Sequence, residues 1–180
     1  TVVSDGAAME GEAKEAFAAI PGLAKSGKLA PYVLIITDNN TKLSGRIDKD
    51  AFSMEPSFKS FEVLGWKVIS LAEGNDLGKC TAAIEQAIQF AKENPNQPVA
   101  IHAKTIKGIG NKKTAESASG GHGFPLKSPS EMPAFLSEIY SGESYPDVFD
   151  SWIAELNQIE SDIKAKGIKD SGEKSQKGVA

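Results

Sequence analysis

Short apolar runs recur along the chain and predict the strands of a buried sheet. Such runs, bounded by turn residues, are typical of strands that are covered on both faces. They lie at 1–3, 32–37, 66–71 and 98–104. The run at 32–37 (YVLIIT) is the clearest, because Pro31 precedes it and Asp38-Asn39-Asn40 follows it.

The segments between these runs have the periodicity of amphipathic helices. Apolar residues recur every three or four positions, the spacing of one helix face. These segments span 10–27, 56–64 and 76–93. Pro21 lies inside the first of them and predicts a kink or a break near Ile20. Strands that alternate with helices predict an α/β fold with a parallel sheet and helices on both of its faces.

The pattern changes after residue 104. Residues 105–129 are rich in Gly, Ser and Lys and have almost no apolar periodicity. A loop of this length inside a compact domain is usually functional or disordered. Two further helices are expected at 130–140 and 146–166, followed by a polar tail at 169–180.

Composition narrows the class of protein. The 180 residues carry a net charge of −4, with 40% hydrophobic and 24% charged residues, which favours a globular domain over disorder or a coiled coil. Mild acidity argues against nucleic-acid binding, and no apolar run is long enough to span a membrane. The single Cys80 excludes an internal disulfide and a cysteine-based zinc site. We therefore expect a soluble, cytoplasmic protein.

Polar residues follow two of the predicted strands. Asp5 and Gly6 come after the first strand, and Asn39-Asn40 after the second. Ligands of parallel α/β sheets bind at the carboxyl ends of the strands, so these residues predict a metal and phosphate site. The alternative is that they are ordinary turn residues, since Asp, Asn and Gly are common in turns.

Glutamate and histidine residues offer further candidates for chemistry. Glu10 and Glu15 lie five apart on a predicted helix and face different directions; two solvated side chains are the alternative. His122 is flanked by glycines, which suits a group that reaches a ligand, although exposed loop histidines are ordinary. His102 lies inside a predicted strand and is interpreted as a core histidine with satisfied hydrogen bonds.

Together these motifs resemble those of transketolases. Residues 4–16 (SDGAAMEGEAKEA) resemble a family segment that contains Gly-Asp-Gly, then Met-Glu-Gly and Glu-Ala. Matching segments then follow in order at 38–45, 65–69, 74–76, 103–110 and 122–126. The resemblance is to the thiamine-diphosphate-binding (PP) domain. It covers residues 1–130 and continues weakly to 146–152.

The resemblance implies a cofactor site with assigned residues. Asp5 and Asn39 match the side-chain ligands of a divalent metal, Mg²⁺ or Ca²⁺, and Thr41 matches the backbone ligand. Gly6, with Asp5, Asn39 and His122, matches contacts to thiamine diphosphate. The position of Asn39 relative to Gly45 selects it over Asn40 as the family asparagine.

Catalytic roles are implied in the same way for three residues. His122 matches the histidine that reaches the cofactor diphosphate and the sugar substrate. Glu10 and Glu15 match glutamates that lie near the cofactor and across the dimer contact. The implied reaction is transfer of a two-carbon ketol unit between phosphorylated sugars, a step of the pentose phosphate pathway, by a homodimer.

The resemblance also predicts a domain organisation. Residues 1–130 would be part of a PP domain, 131–168 a helical extension toward an absent pyrimidine-binding domain, and 169–180 a flexible tail. Because upstream cofactor ligands and the pyrimidine-binding domain are not in the chain, we expect the chain alone to be inactive. Ser4 and Ser119 depart from the family, which has a glycine at the first position and, in some members, a histidine at the second.

Two alternatives remain open. The first is another thiamine-diphosphate enzyme, a dihydroxyacetone synthase or a deoxyxylulose-phosphate synthase; the Met9-Glu10-Gly11-Glu12 run favours a transketolase over the latter. The second is a non-catalytic remnant or assembly subunit. A remnant would not need to retain all of the side chains that the family uses. Five of them are present here, namely Asp5, Glu10, Glu15, Asn39 and His122.

Overall fold

The computed structural model describes residues 1–119, 121–122 and 126–167 of the chain. These residues belong to two compact units, which comprise 1–123 and 124–180 and are treated separately below. The domain boundaries expected from the sequence, at 130 and 168, stay a prediction.

The first unit is built on a parallel sheet. Its strands and helices are β1 Val2–Ser4, α1 Asp5–Ala8, α2 Gly11–Lys25, β2 Val33–Asp38, β3 Thr41–Lys42, β4 Gly45–Arg46, α3 Ile47–Asp50, α4 Glu55–Leu64, β5 Lys67–Leu71, α5 Leu77–Glu93, β6 Val99–Lys104 and α6 Lys112–Ala115. Four strands pair in the order β1-β2-β6-β5, all parallel, and β3 and β4 form a short antiparallel hairpin. The predicted parallel α/β fold is therefore confirmed.

Side chains of alternating strand residues enter two separate cores, one on each face of the sheet. On one face, Leu34 and Ile36 belong to a cluster with Phe58 and Phe61 of α4. On the other face, residues of β2, β5 and β6 pack against three alanines of α5. Those alanines are Ala83, Ala87 and Ala91. Helices thus cover both faces of the sheet, as the sequence predicts.

Helix α2 continues through Pro21, so of the kink or break expected near Ile20 the break does not occur. Proline has no N–H, which leaves the carbonyl of Phe17, four residues earlier, without its helical donor. The indole Nε1 of Trp66 donates to that carbonyl over 2.8 Å in the buried interior. The Trp66 side chain, just before β5, thereby provides a hydrogen-bond donor for the Phe17 carbonyl in place of the N–H that Pro21 lacks.

Several short elements were not expected. The chain turns directly from β1 into α1, where Ser4 Oγ accepts the N–H of Ala7 over 3.2 Å as an N-cap. Helices α3 and α6 contain four residues each, and the strands of the β3–β4 hairpin contain two each. Such lengths are too short to produce an apolar period, so the sequence pattern does not reveal them.

The described part of the second unit contains a 3₁₀ turn and two helices. These are Pro129–Glu131, α7 Met132–Ile139 and α8 Val148–Ala165. The helices expected at 130–140 and 146–166 are therefore confirmed, with ends that differ by one or two residues. Leu136 of α7 and Ile153 of α8 are buried. None of the helices in the described part of the chain has the length and apolar content that a bilayer-spanning segment requires.

Candidate functional site

Asp5 is the most deeply buried charged residue at the carboxyl end of the sheet. It opens α1 directly after β1 and is 1% exposed. Its Oδ1 accepts the N–H of Gly6 over 2.9 Å, and its Oδ2 accepts the N–H groups of Asn39 and Asn40 over 2.9 and 2.5 Å. The carboxylate therefore joins the end of β1 to the loop that follows β2.

Asn39 lies in that loop beside Asp5, and Thr41 begins strand β3 two residues later. The side-chain Oδ1 of Asn39 accepts the backbone N–H of Thr41 over 3.0 Å and also the Thr41 hydroxyl. The Thr41 carbonyl lies 3.5 Å from the position that a Cβ on Gly6 would occupy. The structure thus brings together Asp5, Gly6, Asn39 and Thr41, which the sequence nominated as one site.

Asp38 forms a second polar group at the same edge of the sheet. Its Oδ2 accepts from His102 Nε2 over 2.7 Å and from Lys104 Nζ over 2.5 Å. The His102 ring also packs against Phe58, with ring centroids 4.5 Å apart and the planes tilted by 44°. These contacts confirm the interpretation of His102 as a histidine with satisfied partners, and they give it a carboxylate as well as a core contact.

A cavity of about 190 Å³ opens between these two groups. Its lining includes Asp5, Asp38 and Lys104, together with Asn40 and Asp48 from the loop region that follows β2. Oxygen atoms thus line most of the polar wall, with one ammonium group among them. Such a wall suits a divalent cation that carries an anionic group with it.

The two buried carboxyl groups differ in their protonation behaviour. Burial raises the pKa of Asp5 above its ordinary value and the charge of Asp38 adds to this, although three backbone hydrogen bonds oppose the rise. Burial also acts to raise the pKa of Asp38, but hydrogen bonds from His102 and Lys104 outweigh it and hold that pKa below the ordinary value. The negative charge of Asp5 is therefore less well compensated by its neighbours than that of Asp38.

The remaining predicted residues lie elsewhere on the first unit. Glu10 is the N-terminal flanking residue of α2 and Glu15 lies within that helix; both are exposed. His122 is exposed, and its Nδ1 lies 3.2 Å from Lys107 Nζ. The contacts found for His122 in the described part of the chain are to Lys107 and to Ser119, not to the Asp5 group.

Sequence reasoning missed Asp38 and Lys104 as members of the site region. The two residues are register partners on neighbouring strands, so their opposite charges meet across the sheet. Their opposite charges at two strand ends are visible in the sequence. That signal becomes useful only when β2 is known to lie beside β6.

Metal-binding clusters of the commonest kind are not found in the described residues. No group of three or more His, Cys, Asp or Glu side chains there is placed to hold a metal ion. The Asp5 group is of another kind, since it combines one carboxylate with an amide oxygen and a backbone carbonyl.

An α/β fold with polar strand ends of this kind defines a cofactor-binding domain class, and comparison identifies the family. Residues 1–136 match the family model described as transketolase, thiamine diphosphate binding domain. This match covers more than half of the chain. The chain therefore belongs to the transketolase family, and the resemblance found in the sequence is confirmed.

Curated relatives agree with this assignment. The chain is 31% identical over 179 residues to a transketolase of Bacillus subtilis, a match that covers 98% of this chain and 24% of the relative. It is 34% identical over 175 residues to a transketolase of Streptococcus pyogenes, covering 96% of this chain and 21% of the relative. The chain thus spans less than a quarter of the length of these relatives.

Solved structures support the fold. A transketolase mutant from Pichia stipitis in complex with fructose 6-phosphate aligns with a TM-score of 0.59 and 22% identity, over 91% of this chain and 24% of that chain. Transketolase from Leishmania mexicana aligns with a TM-score of 0.54 and 19% identity, over 91% of this chain and 23% of that chain. At these identities the likeness shows that the fold is shared.

Proposed function

We propose that this chain supplies the cofactor-diphosphate site of a transketolase. In this proposal a divalent cation, Mg²⁺ or Ca²⁺, is held by the carboxylate of Asp5, the amide oxygen of Asn39 and the carbonyl of Thr41. The observation that carries the proposal is the joining of Asp5 to the Asn39–Thr41 loop across two neighbouring strand ends. The cation would in turn hold the diphosphate of thiamine diphosphate.

The chemistry of these donors fits such a cation. All three would be oxygen ligands, which Mg²⁺ and Ca²⁺ prefer, and Mg²⁺ commonly keeps other positions for water and phosphate oxygens. Asp5 is buried and its charge is opposed by Asp38, so a cation there would offset the cost of that burial. Binding through Asn39 Oδ1 requires the Thr41 hydroxyl to rotate away from it.

Gly6 also fits a ligand contact. Its backbone has no positive φ, and an added Cβ would find only ordinary van der Waals neighbours within the protein, the nearest at 3.5 Å. Packing inside the chain therefore does not demand glycine at this position. Close approach of a phosphate group to the backbone would explain the missing side chain.

Thiamine diphosphate, when bound, would supply a carbon nucleophile that adds to the carbonyl of a ketose and a thiazolium ring that takes up the electron pair of the carbon–carbon bond that breaks. Residues of this chain would bind and orient the reactants. We propose that His122, next to Lys107, contacts the diphosphate and the phosphorylated sugar. Its Nδ1 accepts from Lys107 Nζ over 3.2 Å, so the ring Nε2–H and the remaining ammonium protons of Lys107 would be the donors to an anion. The exposure of both Glu10 and Glu15 leaves them accessible to a second subunit.

Partners and location follow from the family assignment as proposals. We propose that the site is completed by a pyrimidine-binding domain and that the enzyme is a homodimer acting in the cytoplasm within the pentose phosphate pathway. The single Cys80, which forms no disulfide, is compatible with a reducing compartment. The relatives described above are transketolases, and nothing in them favours a dihydroxyacetone synthase, a deoxyxylulose-phosphate synthase or a non-catalytic remnant.

Reconstitution of ketol transfer tests this function. The chain is assayed with a phosphorylated ketose and a phosphorylated aldose, alone and with the remaining segments of a transketolase supplied as a second chain. We expect no turnover alone and turnover in the mixture, which His122→Ala lowers and the exposed substitution Lys59→Ala does not. Turnover by the chain alone would contradict the need for a second chain, and an inactive mixture would contradict the function.

A further inference from the structure

Helix α8 carries apolar side chains that face solvent. Four of them recur at helical spacing along one side of the helix and are exposed, and we call them the α8 stripe: Val148, Trp152, Ile159 and Ile163. On the adjoining side of the helix, Ile153 is buried and Phe149 and Leu156 are half-buried. The apolar face of α8 is therefore wider than the part that is packed.

Trp152 is the largest member of the stripe and is oriented by an aromatic neighbour. Its ring lies beside that of Phe149, with centroids 6.3 Å apart and planes tilted by 33°. Phe149 in turn packs edge-on against Tyr140 and Tyr145. Trp152 is nevertheless 51% exposed. A tryptophan that is already oriented loses little freedom when a partner covers it, and Trp is enriched among the residues that dominate binding energy at interfaces.

The second unit is also distinctly acidic. Residues 126–167 contain eight acidic and three basic residues, whereas residues 1–119 contain fourteen of each. Glu155 is exposed and lies three residues after Trp152 and four before Ile159, so it shares their side of the helix. Lys164 is paired with Glu160 over 3.2 Å, within α8 itself. The α8 stripe therefore lies in an acidic surface and has a carboxylate beside it.

This charge decides which occupant suits the stripe. A second copy of the chain would bring two acidic units together, and like charges across a contact oppose association. Anionic lipids are disfavoured for the same reason. A partner with Lys or Arg beside its apolar residues would cover the stripe and also meet Glu155 with the opposite charge.

We propose that the α8 stripe is the docking surface for a basic amphipathic helix of a partner protein. From Val148 to Ile163 the stripe is about 22 Å long, so a partner helix of about four turns would cover it. Aliphatic side chains of that helix pack around Trp152, and its Lys or Arg residues approach Glu155. The inference does not rest on the proposed cofactor site, to which α8 contributes no residue.

Titration of the full chain with designed helical peptides tests this surface. The basic peptide is about 18 residues long and has leucines on one face flanked by lysines. One control peptide has glutamates in place of the lysines, and the other has serines in place of the leucines. Trp152 is the reporter, since Trp66 is buried, and its emission should move to shorter wavelength when the peptide covers it. We expect the basic peptide to bind at least about tenfold more tightly than either control.

Variants of the chain locate the bound peptide. Ile159→Ser and Ile163→Ser should each weaken binding of the basic peptide by about tenfold, because each removes apolar area that the peptide buries. Val63→Ser, which changes an exposed apolar residue of α4, is the matched control and should leave binding unchanged. Glu155→Lys should weaken binding of the basic peptide and strengthen that of the acidic peptide, an exchange that unfolding would not produce. Circular dichroism and melting temperatures are compared for every variant.

Four results would overturn the inference. The first is that neither charged peptide binds, and the second is that both bind equally well and Glu155→Lys changes neither affinity. The third is a concentration-dependent dimer in sedimentation velocity that Ile159→Ser abolishes, which would assign the stripe to a second copy. The fourth is a shift of the Trp152 emission with phosphatidylcholine vesicles, which would assign the stripe to a lipid surface.

Discussion

The carboxylate of Asp5, at the end of β1, accepts the backbone N–H of Asn39, at the end of β2, over 2.9 Å. The two residues are 34 positions apart in the chain and meet because their strands are parallel neighbours. Burial disfavours the charge of this carboxylate, and Asp38 adds to the effect. The contact therefore joins a carboxylate whose charge is disfavoured by burial to the neighbouring strand end, at the edge where α/β sheets bind their ligands.

The contact between Trp66 and Phe17 predicts a stability effect that depends on Pro21. Trp66→Phe removes the indole donor to the buried Phe17 carbonyl, and should lower the free energy of unfolding by about 1–3 kcal/mol. Pro21→Ala restores a backbone N–H and should recover about 1 kcal/mol in the Trp66→Phe background. Urea unfolding of the two single variants and the double variant measures both effects.

The control for this prediction is the effect of Pro21→Ala in the unmodified chain, compared with its effect in the Trp66→Phe variant. Pro21→Ala also removes buried ring atoms, and that loss is the same in both backgrounds, so it cancels in the cycle. An equal effect of Pro21→Ala with and without the indole would contradict the account of the proline and tryptophan pair.

The lowered pKa of Asp38 predicts that its contribution to the free energy of unfolding depends on pH. The pKa of Asp38 is lowered from 3.8 in the folded state, so its contribution is fully present above 3.8 and is lost as pH falls through the folded-state pKa. Asp38→Asn should lower the free energy of unfolding at neutral pH by about 1–3 kcal/mol, since it removes the charged acceptor of His102 and Lys104. Lys104 is half exposed, so solvent weakens its share.

Denaturant unfolding over a series of pH values checks this effect. The stability difference between the chain and Asp38→Asn should shrink as pH falls below 3.8. A difference that stays constant across that interval would show that the charge of Asp38 is not responsible.

Two glycines near α5 predict opposite results for the same substitution. An added Cβ on Gly74 would lie 2.7 Å from the Lys104 carbonyl and 3.1 Å from Ala103 Cβ, whereas one on Gly78 would find its nearest neighbour, Asp76 Oδ1, at 3.4 Å. Gly74→Ala should therefore destabilise the fold by about 1–3 kcal/mol through overpacking. Gly78→Ala should be neutral or stabilise helix α5 by up to about 1 kcal/mol.

Thermal or urea unfolding of the two variants tests the packing around Gly74. Because both substitutions add one methyl group, Gly78→Ala serves as the matched control. Equal stability of the two variants would mean that the backbone of β6 can move away from residue 74 at little cost.

Periodicity and residue type were sufficient to predict the main elements. β2 and β6 are short apolar runs because both of their faces are covered, and α5 repeats its small residues at helical spacing because they pack on the sheet. Helix α1 and the β3–β4 hairpin were missed, since elements of two to four residues leave no period to detect.

Only those residues of the site that belong to a local sequence motif could be predicted from the sequence. Asp5 and the pair Asn39-Asn40 were identified because they follow two strands, and the resemblance to the family then selected Asn39. The structure brings Asp5 and Asn39 together. The contact of Asp38 with His102 and Lys104, which lie 64 and 66 positions further along the chain, depends on β2 lying beside β6. Strand order at that separation is a property of the whole sheet and not of any local pattern.

The central claim is that Asp5 holds a divalent cation which binds the diphosphate of the cofactor. Isothermal titration calorimetry of the chain, alone and with a transketolase pyrimidine-binding domain, tests it most directly. The account predicts binding of thiamine diphosphate with Mg²⁺ or Ca²⁺, and its loss with a chelator, with thiamine that lacks the diphosphate, or with Asp5→Asn. Asp162→Asn, an exposed change in α8, should bind normally. Undiminished binding by Asp5→Asn, or binding that the chelator leaves unchanged, would contradict the account.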